Sequence, residues 1–153
     1  MHILMCNDDG ILADGLRRLA SYLSQYYRIT VVAPANEQSA KSHALTTEIP
    51  LKLDAYNGED ENPRLYALTG TPSDCMKFGL SYLLTDDMPD LVISGINHGF
   101  NLGSDVLYSG TVSAAMESCF YGIPGLALSV ERYSPERGDE MHPFIHELSL
   151  IHI

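Results

Sequence analysis

The chain has 153 residues, 45% hydrophobic and 19% charged, with 20 acids against 9 bases and a formal net charge of -11. That length holds one domain with a real core but is short for two, and the composition excludes disordered, fibrous and collagen-like classes. The acidic balance argues against a nucleic-acid polymer as partner, since few Lys or Arg are available to displace its counterions. A small phosphorylated ligand stays open, because a bound cation reverses the local field.

Cys6, Cys75 and Cys119 are widely spaced and odd in number, which predicts reduced, mostly packed thiols. No stretch approaches the roughly 20 apolar residues that would span a bilayer, and no secretory leader is evident. The expectation is a soluble, cytoplasmic protein with no membrane partner.

His2 to Cys6 predicts a short buried strand, ended by Asn7-Asp8-Asp9-Gly10. Asp14 reads as the cap of a helix carrying Leu16, Leu19, Ala20, Leu23 and Tyr27 at helical spacing. Arg28 to Ala33 is a β-branched run closed by Pro34, which completes the strand–helix–strand pattern of a parallel sheet. Residues 34–48 read as a long polar loop. Ile49 to Leu53 and Leu65 to Leu68 predict two strands, and Thr71-Pro72 opens a helix with Thr71 as its cap. Asp90 to Ser94 predicts another buried strand, followed by a Gly- and Asn-rich loop from Gly95 to Gly110. A helix from Thr111 to Tyr121 and a strand from Leu126 to Val130 follow. The pattern predicts a Rossmann-like, three-layer α/β domain with a mostly parallel sheet over residues 1–130.

Residues 131–147 are polar and broken by Pro135, Gly138 and Pro143, and read as the start of a truncated C-terminal extension. The ending Leu148 to Ile153 matches a translation of the transposon end used in sequencing-library adapters and is expected to be a non-native tail; a short C-terminal strand is the alternative.

Four loops carry chemistry, and each follows the C-terminal end of a predicted strand, where open α/β sheets bind ligands. Asp8 and Asp9 offer paired hard oxygens that suit Mg, Mn or Ca better than zinc; an acidic helix start is the other reading. The loop from Ala33 to Ser39 supplies hydroxyl and amide groups. Ser94 to Gly103 sets Asn97 and Asn101 among glycines that admit close backbone approach. Ser109-Gly110-Thr111 opens a helix whose free N–H groups and dipole suit an anion, although Ser109 and Thr111 would equally serve as ordinary caps. His43, His98 and Lys41 read as solvated loop residues, Cys75 and Cys119 as packed helix residues, and Asp74 and Glu117 as capping or ion-pairing groups.

The combination of Asn7–Gly10 (NDDG), Ala33–Ser39 (APANEQS), Ser94–Gly103 (SGINHGFNLG) and Tyr108–Glu117 (YSGTVSAAME), with Thr69–Leu80 (TGTPSDCMKFGL), resembles the SurE nucleotidase family from residue 1 to about 130. That resemblance implies one divalent cation, Mg or Mn, held by Asp8, Asp9, Ser39 and Asn97. It implies a phosphate cradled by Asn97, Asn101, Ser109, Gly110 and Thr111, with Asp8 and Asp9 as the catalytic pair. The implied reaction is hydrolysis of nucleoside 5′- and 3′-monophosphates, with short polyphosphate as a further substrate; the implied full-length assembly is a homodimer or homotetramer. Ser118 stands where the family usually has Gly. The acids are adjacent rather than spaced as D-x-D, which argues against a haloacid-dehalogenase-type phosphatase. Asp90 begins its strand rather than ending it, which argues against a response-regulator receiver. A truncated, inactive cation-binding fragment of the same family is the remaining alternative.

Overall fold

The computed structural model describes residues 1–58, 60–130 and 148–152. Strands β1 (His2–Cys6), β2 (Arg28–Pro34), β3 (Leu53–Ala55), β4 (Arg64–Leu68), β5 (Leu91–His98), β6 (Gly125–Val130) and β7 (Leu148–His152) form one sheet in the order β3-β4-β2-β1-β5-β6-β7. The five inner strands are parallel, while β3 and β7 pair antiparallel at the two edges. Helix α1 (Asp14–Leu23) covers one face; α2 (Pro72–Phe78) and α3 (Gly110–Cys119) cover the other. The expected three-layer Rossmann-like architecture is what forms.

All five residues of β1 are buried, because a central parallel strand has helices on both faces. Its side chains alternate sides with the period of a strand. Ile3 and Met5 pack with Leu16, Leu19 and Ala20 of α1, whereas Leu4 and Cys6 pack with Cys75 and Met76 of α2 and Ala114 of α3. Each fully buried Ile, Leu or Met here contributes about 1.5–3 kcal/mol, so an acidic substitution at Leu4 would split the sheet from the α2–α3 layer. Strand order reverses on either side of β1: the chain steps outward through β2 and β4, then crosses back to β5. The gap between β1 and β5 at their C-terminal ends is therefore the switch point where such sheets leave room for a ligand.

Local structure departs from the sequence expectations at several places, and α1 ends at Leu23, which leaves Tyr27 beyond the helix and exposed. Asp14 is the first helical residue rather than the cap; Ala13 holds that position with no side-chain cap, and the carboxylate faces the positive end of the helix dipole instead. The strand expected at Ile49–Leu53 begins only at Leu53, since Pro50 has no N–H to offer a ladder. Beyond Phe78 the helix widens into a π-helical segment, Gly79–Leu83. Strand β5 does not stop at Gly95. A register shift between Ser94 and Asn97 lets pairing resume at Asn97↔Ser129 and His98↔Val130, so the glycine marks a bulge rather than the start of a loop.

Thr71 caps α2 as expected, in a reciprocal capping box with Asp74. Residues 148–152 form the edge strand β7 beside β6; the expected extension at 131–147 and residue 153 lie outside the described residues.

Candidate active site at the switch point

Asn7 builds the first loop. It is fully buried, its Oδ1 accepts from the Gly10 amide at 3.2 Å and its Nδ2 donates to the Gly10 carbonyl at 3.1 Å. The turn needs Gly10, whose φ is +100° and where a Cβ would stand 3.3 Å from the Pro34 carbonyl oxygen. The Ile11 amide donates to that same Pro34 oxygen at 2.8 Å, and the Gln38 amide donates to the Asp8 carbonyl at 2.7 Å. The first and second loops are thereby stitched together, and Asp8 and Asp9 are held at the end of β1.

Asp8 is 5% exposed and faces the start of α3. Its Oδ1 accepts the Thr111 hydroxyl at 2.7 Å. Gly110 makes this approach possible: a Cβ there would lie 3.0 Å from Asp8 Cβ and 3.1 Å from Pro72 Cγ. Burial pushes the Asp8 carboxyl above its ordinary range, opposed by the Thr111 hydroxyl and the Thr111 backbone. Asp9 is pushed up to about 6, first by burial and then by the charge of Asp8, with Glu37 adding to the effect and His98 opposing it.

One oxygen of this pair stands out. Asp9 Oδ2 is buried and has no hydrogen-bond partner. A buried carboxylate oxygen left unmatched beside a second carboxylate is costly unless something of positive charge satisfies it. The other two expected ligands, Ser39 and Asn97, are oxygen donors in the loop after β2 and near the end of β5. The Asn97 amide nitrogen is turned onto its own loop, donating to the Gly99 carbonyl at 2.9 Å and the His98 carbonyl at 3.3 Å. Its Oδ1 receives no hydrogen bond from the described residues. Hard oxygens with an uncompensated charge fit Mg or Mn. Among the described residues no group of three or more His, Cys, Asp or Glu gathers to hold a metal, so such a cation would need the neutral oxygens as well as the two acids.

The remaining expected site residues are occupied in different ways. Ser109 spends its hydroxyl capping α3, accepting from the Val112 amide at 3.1 Å. Thr111 is wholly buried and turned to Asp8, so the anion at this helix start is a protein carboxylate. Asn101 is buried and its amide nitrogen donates to Ser129 Oγ on β6 at 2.7 Å. Ser39 is exposed and donates to Glu37 Oε1 at 2.7 Å. The His43 ring lies 3.6 Å from the buried Glu117 carboxylate, and Asp74 binds the second loop through Thr46 as well as capping α2. Cys75 is packed, with burial raising its thiol, whereas Cys119 is exposed, contrary to expectation, because it falls at the last turn of α3.

Two residues of consequence were not singled out by the sequence reading. Asn7 had a signal, an Asn three residues before a Gly at a strand end. Glu37 had none beyond its place in the second loop. A further cleft at the opposite rim is lined by His2, Arg28, Asn62, Arg64 and Asp87, but both arginines already pair with Asp87 there.

Residues 3–151 match the sequence profile of "Survival protein SurE". Over 148 residues the chain is 49% identical to the 5'-nucleotidase SurE of Thermoanaerobacter sp. (strain X514), covering 97% of this chain and 58% of that protein. It is 52% identical over 132 residues to the protein of the same name from Thermosipho africanus (strain TCF52B), covering 84% of this chain and 50% of that one. The crystal structure of the SurE protein from Aquifex aeolicus superposes with a TM-score of 0.71 at 43% identity, over 81% of this chain and 48% of that one. The chain thus spans between about half and three-fifths of the length of these relatives. With the fold, the loop order and the profile in agreement, the chain belongs to the SurE family.

Proposed function

We propose that the switch-point site hydrolyses the phosphomonoester of nucleoside 5′- and 3′-monophosphates, with short polyphosphate as a further substrate. The observation that carries this reading is Asp8 buried against the start of α3, next to an Asp9 whose Oδ2 is buried without a hydrogen-bond partner. The names of the relatives, each a 5'-nucleotidase SurE, support the same substrate class.

In this reading Asp8, Asp9, Ser39 and Asn97 hold one Mg or Mn ion. When bound, that ion supplies charge neutralisation at the phosphoryl oxygens and makes an attacking water more acidic. The rest falls to the chain. Thr111 fixes Asp8, so that one carboxylate of the pair keeps its position through turnover. Asp9, which has no such tether, accepts the proton of the attacking water. Gly110, the helix start and Asn101 form the wall against which the phosphoryl group is oriented, and the α3 dipole favours its growing negative charge. Phosphoryl transfer asks for little more than positioning and electrostatics of this kind.

The test is phosphate release from a panel of nucleoside monophosphates with Mg or Mn, then with EDTA, for the parent chain and Asp9→Asn. Metal-dependent release that is lost in the variant supports the proposal. A folded chain that neither releases phosphate nor binds the cation would refute it. A second reading is that the chain binds the cation without turnover; it spans about half to three-fifths of the length of its relatives. Cation binding without release would select it. A homodimeric or homotetrameric full-length form and a cytoplasmic location belong to the same family-based reading.

A further inference from the structure

Resting on the cation site proposed above and deepening it, we propose that Glu37 is a positioning residue for that cation, accepting the hydrogen bond of the Ser39 hydroxyl so that the hydroxyl oxygen turns its lone pairs to the ion. The Ser39 hydroxyl donates to Glu37 Oε1 at 2.7 Å. The Gln38 amide between them donates to the Asp8 carbonyl at 2.7 Å, so the Glu37–Ser39 turn is docked on the loop that carries both acids. Glu37 is close enough for its charge to act on Asp8 and Asp9 alike.

A serine hydroxyl has one proton and two lone pairs, and its proton rotates to whatever acceptor is near. To act as a ligand it must point that proton away from the ion. In an open loop nothing enforces this unless an acceptor is fixed on the far side. Outer partners of metal ligands do this elsewhere, and their removal weakens metal affinity about 10–100-fold. Glu37 is suited to the part because it is anionic, so its bond to the hydroxyl is of the stronger, charge-assisted kind. An exposed Glu can also act by its charge alone, and the experiment separates the two.

Mn binding to the 153-residue chain, without substrate, is measured by calorimetry for the parent, Glu37→Ala and Glu37→Gln, each with Ser39 and with Ser39→Ala. Circular dichroism verifies folding. With Ser39 present, Glu37→Ala is expected to weaken binding by roughly 10-fold or more. Glu37→Gln, whose amide oxygen still accepts the hydroxyl proton, is expected to lose less. In the Ser39→Ala background the two variants should become equal, leaving only the effect of the lost charge. Equal losses in both backgrounds, or no loss at all, would overturn the role of Glu37 while leaving the cation site standing. A folded parent that binds no Mn would overturn the cation site itself, and this inference with it.

Discussion

Gly110→Ala is the most informative single perturbation of the site. The added methyl would lie 3.0 Å from Asp8 Cβ, 3.1 Å from Pro72 Cγ and 3.3 Å from Asp8 Oδ2, well inside the roughly 3.5–4.0 Å at which carbon atoms pack best. Neither carbon neighbour is the loose end of a long side chain. Asp8 Cβ is tied directly to a buried backbone, and Pro72 is ringed to its own. Relief must come from α3 lifting or from Asp8 retreating, and either stretches the 2.7 Å bond from Thr111 to Asp8. Overpacking of this kind costs about 1–3 kcal/mol, offset by up to about 1 kcal/mol because Ala is the better helix former. A net loss of about 1–2 kcal/mol lowers the Tm of a chain of this size by roughly 2–8 °C. The catalytic effect should be larger, because a displacement approaching 1 Å can cost about 100-fold. Thermal unfolding and phosphate release would be compared with Gly58→Ala, where the nearest atom to the new methyl is 3.8 Å away. If Gly110→Ala matched the parent in both Tm and turnover, the close packing of α3 on Asp8 would be refuted.

Asp9 is held at about 6 against an ordinary 3.8, so between those values the folded chain retains a proton that the unfolded chain has released, and the stability this group confers is lost as pH rises through 6. Without added metal, Asp9→Asn should therefore melt above the parent at pH 7.5, with the advantage shrinking toward pH 4; an advantage independent of pH would contradict the shift. Thr111→Val removes a buried donor from Asp8 while keeping side-chain volume and should cost about 1.5–3 kcal/mol in denaturant unfolding at neutral pH; a loss below about 0.5 kcal/mol, the range of a neutral surface change, would show that the bond is not made. Mn at 100 times its dissociation constant should stabilise the parent by about 2.7 kcal/mol. That gain should vanish with EDTA and in Asp9→Asn, and its survival in the variant would place the ion elsewhere.

The fold was legible because its signals are local. The four-residue apolar run Ile3–Cys6 in β1, the helical spacing of Leu16, Leu19 and Ala20, and the Thr71-Pro72 start each declare an element without knowledge of the rest. The switch point follows, since parallel connectivity puts strand C-termini on one rim. What stayed hidden depends on contacts between distant segments. Gly95 has the composition of a turn and sits in a bulge, because β6 is there to resume pairing beyond it. Ser109 and Thr111 are both plausible anion donors in sequence, yet one caps its own helix and the other serves a carboxylate 103 residues away. Glu37 becomes visible only when its side chain is seen on Ser39. Membership of the family could be read from motif order; the division of labour within the motifs could not.

The bond between Thr111 and Asp8 also bears on the order in which the molecule assembles. Asp8 emerges first during synthesis, and its buried partner comes only after β5 and the start of α3 have been made. Until then the long loops between the proposed ligands Asp8, Asp9, Ser39 and Asn97 are not all closed, and closing them costs chain entropy. The Thr111–Asp8 contact thus joins the end of the first strand to a helix made about a hundred residues later, a closure of high sequence separation.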